Sequence, residues 1–321
     1  MEYTEFKQTI GVSNPPKICL LEGEEVYLAE DGLKHLLDTF VDFPEMDYTR
    51  LDSEDISPTD FVTQALSFPF MSKKRLVAIT EFYPTASMIN GALKDLFTAL
   101  PDTTIVAVLN RKSCDALKKQ KSVTTVACVK QQPAFLSKWI VKEFSLLGKT
   151  ITPSLANKIV EYSLMDMTKI FNEVQKLSSY IGDLNEVTEK DVDAVVIKDT
   201  EYKIYEMTDF VGKRDFDKAL AIVTDMLNNG EAPQRLLVSL YYYYRKLFHV
   251  AISNESDVDL ATALSMKEYA VKKLRQQAKA FKVKSLKTAI DTLADADYAF
   301  KSGARDVDNA FMLSVFSLMI K

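Results

Sequence analysis

Residues 66–80 read LSFPFMSKKRLVAIT, and this stretch passes from the end of a helical pattern through a loop into an apolar run. Pro69 cannot continue a helix, and it holds Phe68 in an extended conformation. The stretch therefore predicts a helix that ends near Ser67, a loop with three large apolar side chains, and a buried strand from Leu76 to Thr80. A helix followed by a buried strand is typical of an α/β domain.

The apolar side chains of this loop have two possible roles. They can pack back onto the core of their own domain, or they can project outward and bind another molecule. Exposed apolar patches are rare on monomeric proteins, so the residues alone favour packing onto the core.

The same alternation of short apolar runs and helical patterns extends over the first 130 residues. Helices are expected at about Val26 to Phe40, from Ser57-Pro58 to Ser67, and at about Ser87 to Leu100, because their apolar residues recur at helical spacing. The five strand candidates are Ile18–Leu21, Asp47–Leu51, Leu76–Thr80, Thr104–Leu109 and Thr124–Val129. This pattern predicts a mainly parallel sheet in a doubly wound α/β domain over residues 1–133.

From Pro133 onward the strand pattern ends and every segment has helical spacing. A small helical domain is predicted over residues 134–200, with Asp166 as a helix N-cap and residues 188–191 (TEKD) as a capping box. A second helical domain is predicted over residues 201–321. Its four consecutive tyrosines at 241–244 cannot all face one core, because successive residues of a helix point about 100° apart.

Composition excludes several classes of protein. The chain has 321 residues, 47% of them hydrophobic and 26% charged, and it lacks any run of 18 consecutive apolar residues. Neither a membrane span nor a signal peptide is expected, so a cytoplasmic protein is the expectation. The three cysteines are scattered without the spacing of a zinc site or a disulfide framework, so we expect no metal site.

The loop after the first predicted strand is where an α/β domain of this kind binds nucleotide phosphates. Such a loop needs several glycines, a lysine and a serine or threonine. Here it consists of Glu22, Gly23, Glu24 and Glu25, and three carboxylates would repel a triphosphate. We therefore expect neither ATP hydrolysis nor a cofactor, and the two histidines form no recognisable catalytic motif.

A basic segment at residues 267–287 is the strongest charge feature of the C-terminal third. Its candidate contacts to DNA or to a neighbouring protein are Lys272, Lys273, Arg275 and Lys279. Such a run is more often a solvated helix face, and this alternative stays open beside nucleic-acid binding.

Four blocks of sequence carry a resemblance to one family. They are ICLLEGEEVYL at 18–28, FPFMSKKRLV at 68–77, IFNEVQKL at 170–177 with VTEKDV at 187–192, and ADADYAFKSG at 294–303. In this order and spacing they resemble the delta subunit family of bacterial DNA polymerase III, the clamp-loader subunits that open the sliding clamp.

The resemblance implies an AAA+-like (P-loop-type) α/β domain without ATPase activity, a helical lid-like domain and a helical collar domain. It implies as partners the sliding clamp (beta subunit), the gamma/tau and delta-prime subunits, and primed DNA. As part of the holoenzyme the chain would be grouped with the DNA-directed DNA polymerases, although no catalysis of its own is implied.

The resemblance also implies that an apolar pair of the loop enters a hydrophobic pocket of the clamp. The candidates here are Phe70 and Met71, with Phe68 and Pro69 beside them, and the pairs Pro69–Phe70 and Phe70–Met71 both fit. Lys73, Lys74 and Arg75 are candidates for a charged rim. Two other functions stay open: a related active ATPase, and a helical adaptor that binds nucleic acid through the basic segment.

Overall fold

The computed structural model describes residues 1–11, 14–266 and 268–320. Lys267, the first residue of the predicted basic segment, lies outside these ranges. The chain forms two compact units, one of residues 1–160 with 165–195 and the other of residues 161–164 with 196–321. The predicted boundary at residue 133 falls inside the first unit, and the division into three domains stays a prediction.

A five-stranded parallel sheet organises the first unit, as the sequence predicts. Its order is β2-β3-β4-β1-β5, so the first strand lies between the fourth and the fifth. Every predicted strand end lies within two residues of the observed one. The strands are β1 (Ile18–Glu22), β2 (Tyr48–Asp52), β3 (Arg75–Thr80), β4 (Thr104–Asn110) and β5 (Val123–Ala127).

This strand order brings two loops to defined edges of the sheet. The carboxyl end of β1 lies between those of β4 and β5, so the loop after β1 is surrounded by their backbones. At the opposite edge β2 pairs with β3, with Tyr48 beside Leu76. The residues that precede both strands, including the apolar loop, therefore lie together.

Helices connect these strands, and one predicted helix is wrong. The expected helix from Ser87 to Leu100 consists of two short helices, because the backbone leaves the helical conformation at Gly91 (φ −108°, ψ −107°). A short helix near the N-terminus is absent from the sequence prediction. The helices up to residue 118 are α1 (Tyr3–Thr9), α2 (Val26–Phe40), α3 (Pro44–Asp47), α4 (Pro58–Leu66), α5 (Ala86–Asn90), α6 (Lys94–Thr98) and α7 (Asp115–Lys118).

The next four helices contain the predicted caps. The Asp166 side chain accepts a hydrogen bond from the Lys169 backbone N–H at 3.0 Å, and Thr188 and Asp191 each accept from the other's backbone N–H. Both arrangements confirm the capping predictions. The helices are α8 (Pro133–Leu146), α9 (Pro153–Tyr162), α10 (Met167–Tyr180) and α11 (Glu189–Val195).

The second unit is helical from residue 200 onward. Its tyrosines divide as the geometry of a helix requires: Tyr244 is buried in the core, Tyr242 is exposed, and Tyr241 and Tyr243 are half-buried. Its helices are α12 (Thr200–Gly212), α13 (Phe216–Asn228), α14 (Pro233–Ile252), α15 (Asp257–Ala263), α16 (Glu268–Ala278), α17 (Val283–Lys301) and α18 (Val307–Ile320). Across the described ranges, no helix has both the length and the apolar character needed to cross a membrane.

Two phenylalanines seven residues apart test how α4 and its following loop pack. Phe61 on α4 is fully buried, with its ring centroid 5.1 Å from that of Phe82, whereas Phe68 is 74% exposed. We expect Phe61→Ala to lower the free energy of unfolding by about 3–5 kcal/mol, because it leaves a cavity. The matched change Phe68→Ala should stay within about 0.5 kcal/mol. Urea unfolding measures both, and equal losses would show that Phe68 packs in the core.

Candidate functional site

The loop between α4 and β3 carries its large apolar side chains on the outside. Phe68 is 74% exposed, Phe70 78% and Met71 54%, whereas Pro69 is half-buried. The expectation from residue types alone, that these side chains pack onto the core, is wrong for all three. Their outward orientation is the one that the family resemblance implies.

The buried carboxylate of Asp47 holds the backbone of this loop. One of its oxygens accepts a hydrogen bond from the N–H of Phe70, and the other accepts from Met71 at 2.9 Å and from Ser72 at 2.5 Å. Asp47 is the last residue of α3 and is fully buried. Three consecutive backbone donors therefore converge on one side chain from another part of the chain.

These hydrogen bonds keep Asp47 ionised. Burial by itself raises the pKa of the carboxyl group, but the backbone N–H groups of Phe70, Ser72 and Met71, with the Ser72 hydroxyl, outweigh burial and lower the pKa to about 2. A carboxyl group whose pKa is lower in the folded than in the unfolded state stabilises the fold at pH values above its ordinary pKa. That stabilisation is lost as the pH falls toward 2.

A second contact ties the loop to the start of α3. The buried hydroxyl of Ser72 accepts a hydrogen bond from the Phe43 N–H at 2.9 Å. Phe43 and Met46, beside Asp47, are themselves 44% and 55% exposed. Two more large apolar side chains therefore lie next to the exposed residues of the loop.

Sequence reasoning missed the contribution of α3 completely. The sequence pattern predicts that Asp47 begins a strand, and nothing in its local sequence distinguishes this buried residue from the acids that lie on the surface. The one local indication of a helix here is the three-residue spacing of Phe43 and Met46 on either side of Pro44. A segment of this length is too short to be predicted as an amphipathic helix.

The three basic residues that follow the apolar loop differ in their contacts. The Lys74 ammonium donates to the Asp102 carbonyl oxygen at 2.6 Å, and the Arg75 guanidinium donates to the Thr49 hydroxyl at 2.9 Å. Both side chains thus contact their own domain. Lys73 is exposed and has no ion pair or hydrogen bond with any residue in the described ranges. Of these three cations, Lys73 is therefore the one that is exposed without a partner among the described residues.

The loop after β1 is filled by the protein's own backbone. The N–H of Gly23 donates to the Asn110 carbonyl at 2.9 Å, and the N–H of Glu25 donates to the Cys128 carbonyl at 2.9 Å. These are donors of the kind that bind phosphate oxygens in a phosphate loop. A Cβ atom on Gly23 would overlap the Cys128 carbonyl oxygen, so that strand end passes directly against the glycine.

Most of the carboxylates of this loop also point into the protein. Glu22 accepts a hydrogen bond from the Cys114 N–H at 2.7 Å and forms an ion pair with Lys118. Glu25 is buried at the start of α2, and Glu24 is exposed. Two of the three predicted carboxylates are therefore directed into the protein, and one is exposed to solvent. Within the described part of the chain, no three potential ligands lie close enough to hold a metal ion.

The basic segment is largely occupied by contacts within the second unit. Arg275 forms an ion pair with Asp257 at 2.8 Å and also donates to the carbonyl oxygens of Ser253 and Glu255. Lys273 forms an ion pair with Glu161 at 2.8 Å. These two cations stabilise the fold where they are, and both are only partly exposed.

The other two candidates of the segment are more accessible. Among the described residues, Lys272 forms an ion pair only with Glu268, one helical turn earlier on α16, and exposed pairs of this kind contribute little to stability. Lys279 is exposed, without an ion pair to any of the residues that the structure describes. The four cations predicted as one group thus separate into two structural and two accessible ones.

Comparison with known proteins gives a consistent result over the length of the chain. The family model "DNA polymerase III, delta subunit" matches residues 20–132, and the model for the C-terminal domain of the DNA polymerase III delta subunit matches residues 201–318. Together they cover more than half of the chain.

Two relatives extend this similarity. The chain is 25% identical to DNA polymerase III subunit delta of Bacillus subtilis (strain 168), over 95% of this chain and 92% of the relative. It is also 25% identical to a probable DNA polymerase III subunit delta of Aquifex aeolicus (strain VF5), over 82% and 80%. The solved Bacillus subtilis DNA clamp loader delta protein has the same fold, with a TM-score of 0.76, 22% identity, and coverage of 99% of this chain and 100% of that one.

The close approach at Gly23 can be tested with a second glycine as control. Gly23 (φ +148°) and Gly182 (φ +56°) both have conformations that disfavour other residues, but only Gly23 has backbone atoms where a Cβ would be. We expect Gly182→Ala to lower the free energy of unfolding by about 1–2 kcal/mol through conformation alone. Gly23→Ala should lower it by about 1–3 kcal/mol more, because the strand end must shift. Equal losses in urea unfolding would contradict the close approach of the Cys128 backbone to Gly23.

Proposed function

Since this chain belongs to the family of DNA polymerase III delta subunits, which are clamp-loader components, we propose that it binds the sliding clamp through the loop between α4 and β3. The observation that carries the proposal is the exposure of Phe70 and Met71 on a loop whose backbone is held by buried hydrogen bonds. An exposed apolar pair on a fixed backbone loses little conformational freedom on binding.

The free energy available from this pair is sufficient to anchor a partner. Transfer of one Phe and one Met side chain from water into an apolar pocket contributes about 3–6 kcal/mol. Phe68 and Pro69 support the pair from the side of α4, and Phe43 and Met46 extend the apolar surface on the side of α3. Phe70 and Met71 are both accessible, so both are candidates for the side chain that enters the pocket.

Of the three residues of the proposed charged rim, Lys73 is the one whose ammonium group is available to a partner. A single exposed ammonium at the edge of an apolar contact can steer approach to an acidic surface of the clamp. Lys74 and Arg75 have a different role in this proposal, because their side chains attach the end of the loop to its own domain. Lys73 is therefore the main residue of the charged rim.

Ring opening follows from differential binding. The chain opens the clamp if it binds the distorted ring interface more tightly than the closed one, and loading on primed DNA then needs release of that contact. In this proposal the energy for the cycle comes from ATP bound by the gamma/tau subunits, since two backbone donors of the loop after β1 of this chain, the N–H groups of Gly23 and Glu25, already have acceptors within the fold. Delta-prime and gamma/tau are the proposed neighbours in the complex, which works in the bacterial cytoplasm.

The two other functions that the sequence leaves open receive less support. An active ATPase would need the N–H groups of Gly23 and Glu25, which already donate to Asn110 and Cys128. A nucleic-acid adaptor would need the cations of the basic segment to be available together for contacts to phosphates. Two of the four candidate cations are already in ion pairs within the fold. Lys272 and Lys279 stay candidates for contacts to DNA or to a neighbouring protein inside the complex.

Removal of the apolar pair should abolish tight clamp binding without affecting the fold. For Phe70→Ala/Met71→Ala we expect the Kd for the cognate clamp, measured by surface plasmon resonance, to rise at least about 100-fold, because most of the anchoring transfer energy is lost. Leu184→Ala, which removes an equally exposed apolar side chain elsewhere in the first unit, is the control. An unchanged Kd in the double variant would refute the proposed site.

The isolated chain should not bind ATP. Titration calorimetry with Mg²⁺-ATP up to about 1 mM is expected to give no binding heat, since the loop backbone is already hydrogen-bonded. The gamma/tau protein under the same conditions serves as the positive control. A micromolar Kd for the isolated chain would overturn the non-catalytic assignment in favour of an ATPase.

A further inference from the structure

We propose that Asp47 is the positioning residue of the clamp contact: its carboxylate fixes the backbone at residues 70–72 so that Phe70 and Met71 project outward before any partner is bound. This inference rests on the proposed function, and it adds a residue that makes no contact with the clamp itself. Its basis is geometric, in the three hydrogen bonds and in the placement of α3 against the loop.

Asp47 is itself held rigidly. It lies at the end of α3, where its own N–H donates to the Phe43 carbonyl at 3.0 Å, and Tyr48, the next residue, begins β2. Strand β2 pairs with β3 in a register that sets Tyr48 beside Leu76. Since the apolar loop ends where β3 begins, the sheet itself places the carboxylate next to the loop.

The carboxylate is suited to three donors at once. A carboxylate offers two oxygens with about four acceptor positions, whereas an amide side chain offers one oxygen and adds two donors. The Phe70 N–H uses one oxygen, and the N–H groups of Met71 and Ser72 share the other. Replacing Asp47 with Asn therefore removes acceptors and sets an amide NH₂ against backbone N–H groups, with almost no change in volume.

Side-chain packing does little to keep the apolar side chains of the loop outward. Phe68, Phe70 and Met71 contribute little packing, since most of their surface is in solvent. Without the carboxylate, the loop is free to turn these side chains onto the domain surface, which removes apolar area from water. Only the fraction of molecules with the loop extended would then bind, and the apparent Kd rises in inverse proportion to that fraction.

The test compares Asp47→Asn with Glu45→Gln, which removes the same charge from an exposed position of the same short helix. Hydrogen exchange of the free protein reports on the loop without any partner. We expect the amides of residues 70–72 to exchange at least about tenfold faster in Asp47→Asn, as expected for lost hydrogen bonds to a charged acceptor. The amides of β3 and β4 should be unchanged, and Glu45→Gln should match the wild type throughout.

Clamp affinity supplies the second measurement. Asp47→Asn is expected to raise the Kd for the clamp about tenfold, although every apolar contact residue is still present. In the Phe70→Ala/Met71→Ala background the same change should raise the Kd less than about twofold, because there is no longer an apolar pair to position. A purely structural role would weaken binding equally in both backgrounds.

The outcomes separate this inference from the proposed function. If Phe70→Ala/Met71→Ala leaves clamp binding intact, the proposed site is wrong whatever Asp47 does. If that variant loses binding but Asp47→Asn changes neither the exchange of residues 70–72 nor the Kd, only the positioning role is refuted. Should Asp47→Asn fail to fold, Asp47→Glu, which keeps the charge but displaces the two acceptor oxygens by one methylene, must show the same two effects, and wild-type values there refute the role.

Discussion

One buried carboxylate and three consecutive backbone N–H groups determine what the first unit of this protein presents to its surroundings. Buried charges are unfavourable unless they are fully hydrogen-bonded, and backbone donors in a loop are unfavourable unless they find acceptors. At Asp47 the buried carboxylate is the acceptor for the loop N–H groups, and these N–H groups are the hydrogen-bond donors that the buried charge needs. The loop backbone can therefore be well ordered while its largest side chains stay in water, a combination that side-chain packing alone would not give.

The loop after β1 shows the opposite use of backbone donors. There the carbonyl oxygens of Asn110 and Cys128 accept the N–H groups of Gly23 and Glu25, which are donors of the kind that bind phosphate oxygens in a phosphate loop. The same parallel sheet thus supports two loops with contrasting roles. One is closed by the neighbouring strands β4 and β5, and the other is held open at the edge formed by β2 and β3.

The sequence predicts those parts of the structure that depend on local pattern. The five strands are found because apolar runs such as Ile105–Val108 are buried on both faces, and the caps at Asp166 and Thr188 are found because capping needs residues only two or three positions apart. The single helix expected at Ser87–Leu100 is wrong. Its apolar residues recur at helical spacing, but the backbone leaves the helical conformation at Gly91 and divides the segment into two short helices. The role of Asp47 could not be predicted, since its partners are 23 to 25 residues away and no local pattern records that contact.

The exposure of the side chains in the apolar loop also could not be predicted from local sequence. Residue types alone favour a buried position for Phe68, Phe70 and Met71, and only the resemblance to a family of clamp-loader proteins favours an exposed one. Likewise the four cations between Lys272 and Lys279 are equivalent in sequence. Their ion pairs to Glu161 and Asp257 arise from tertiary structure, and these pairs decide which cations are still accessible.

The exposed surface of α3 and its neighbouring loop contains two thioethers, in Met46 and Met71, each with more than half of its surface in solvent. Thioethers at such positions are readily oxidised by peroxide to sulfoxides, which are polar and no longer suited to an apolar pocket. The oxidised chain would keep its fold, since neither methionine belongs to the core. Peroxide stress would thus reach a replication protein at its proposed contact surface, and methionine sulfoxide reductases would restore it without new synthesis.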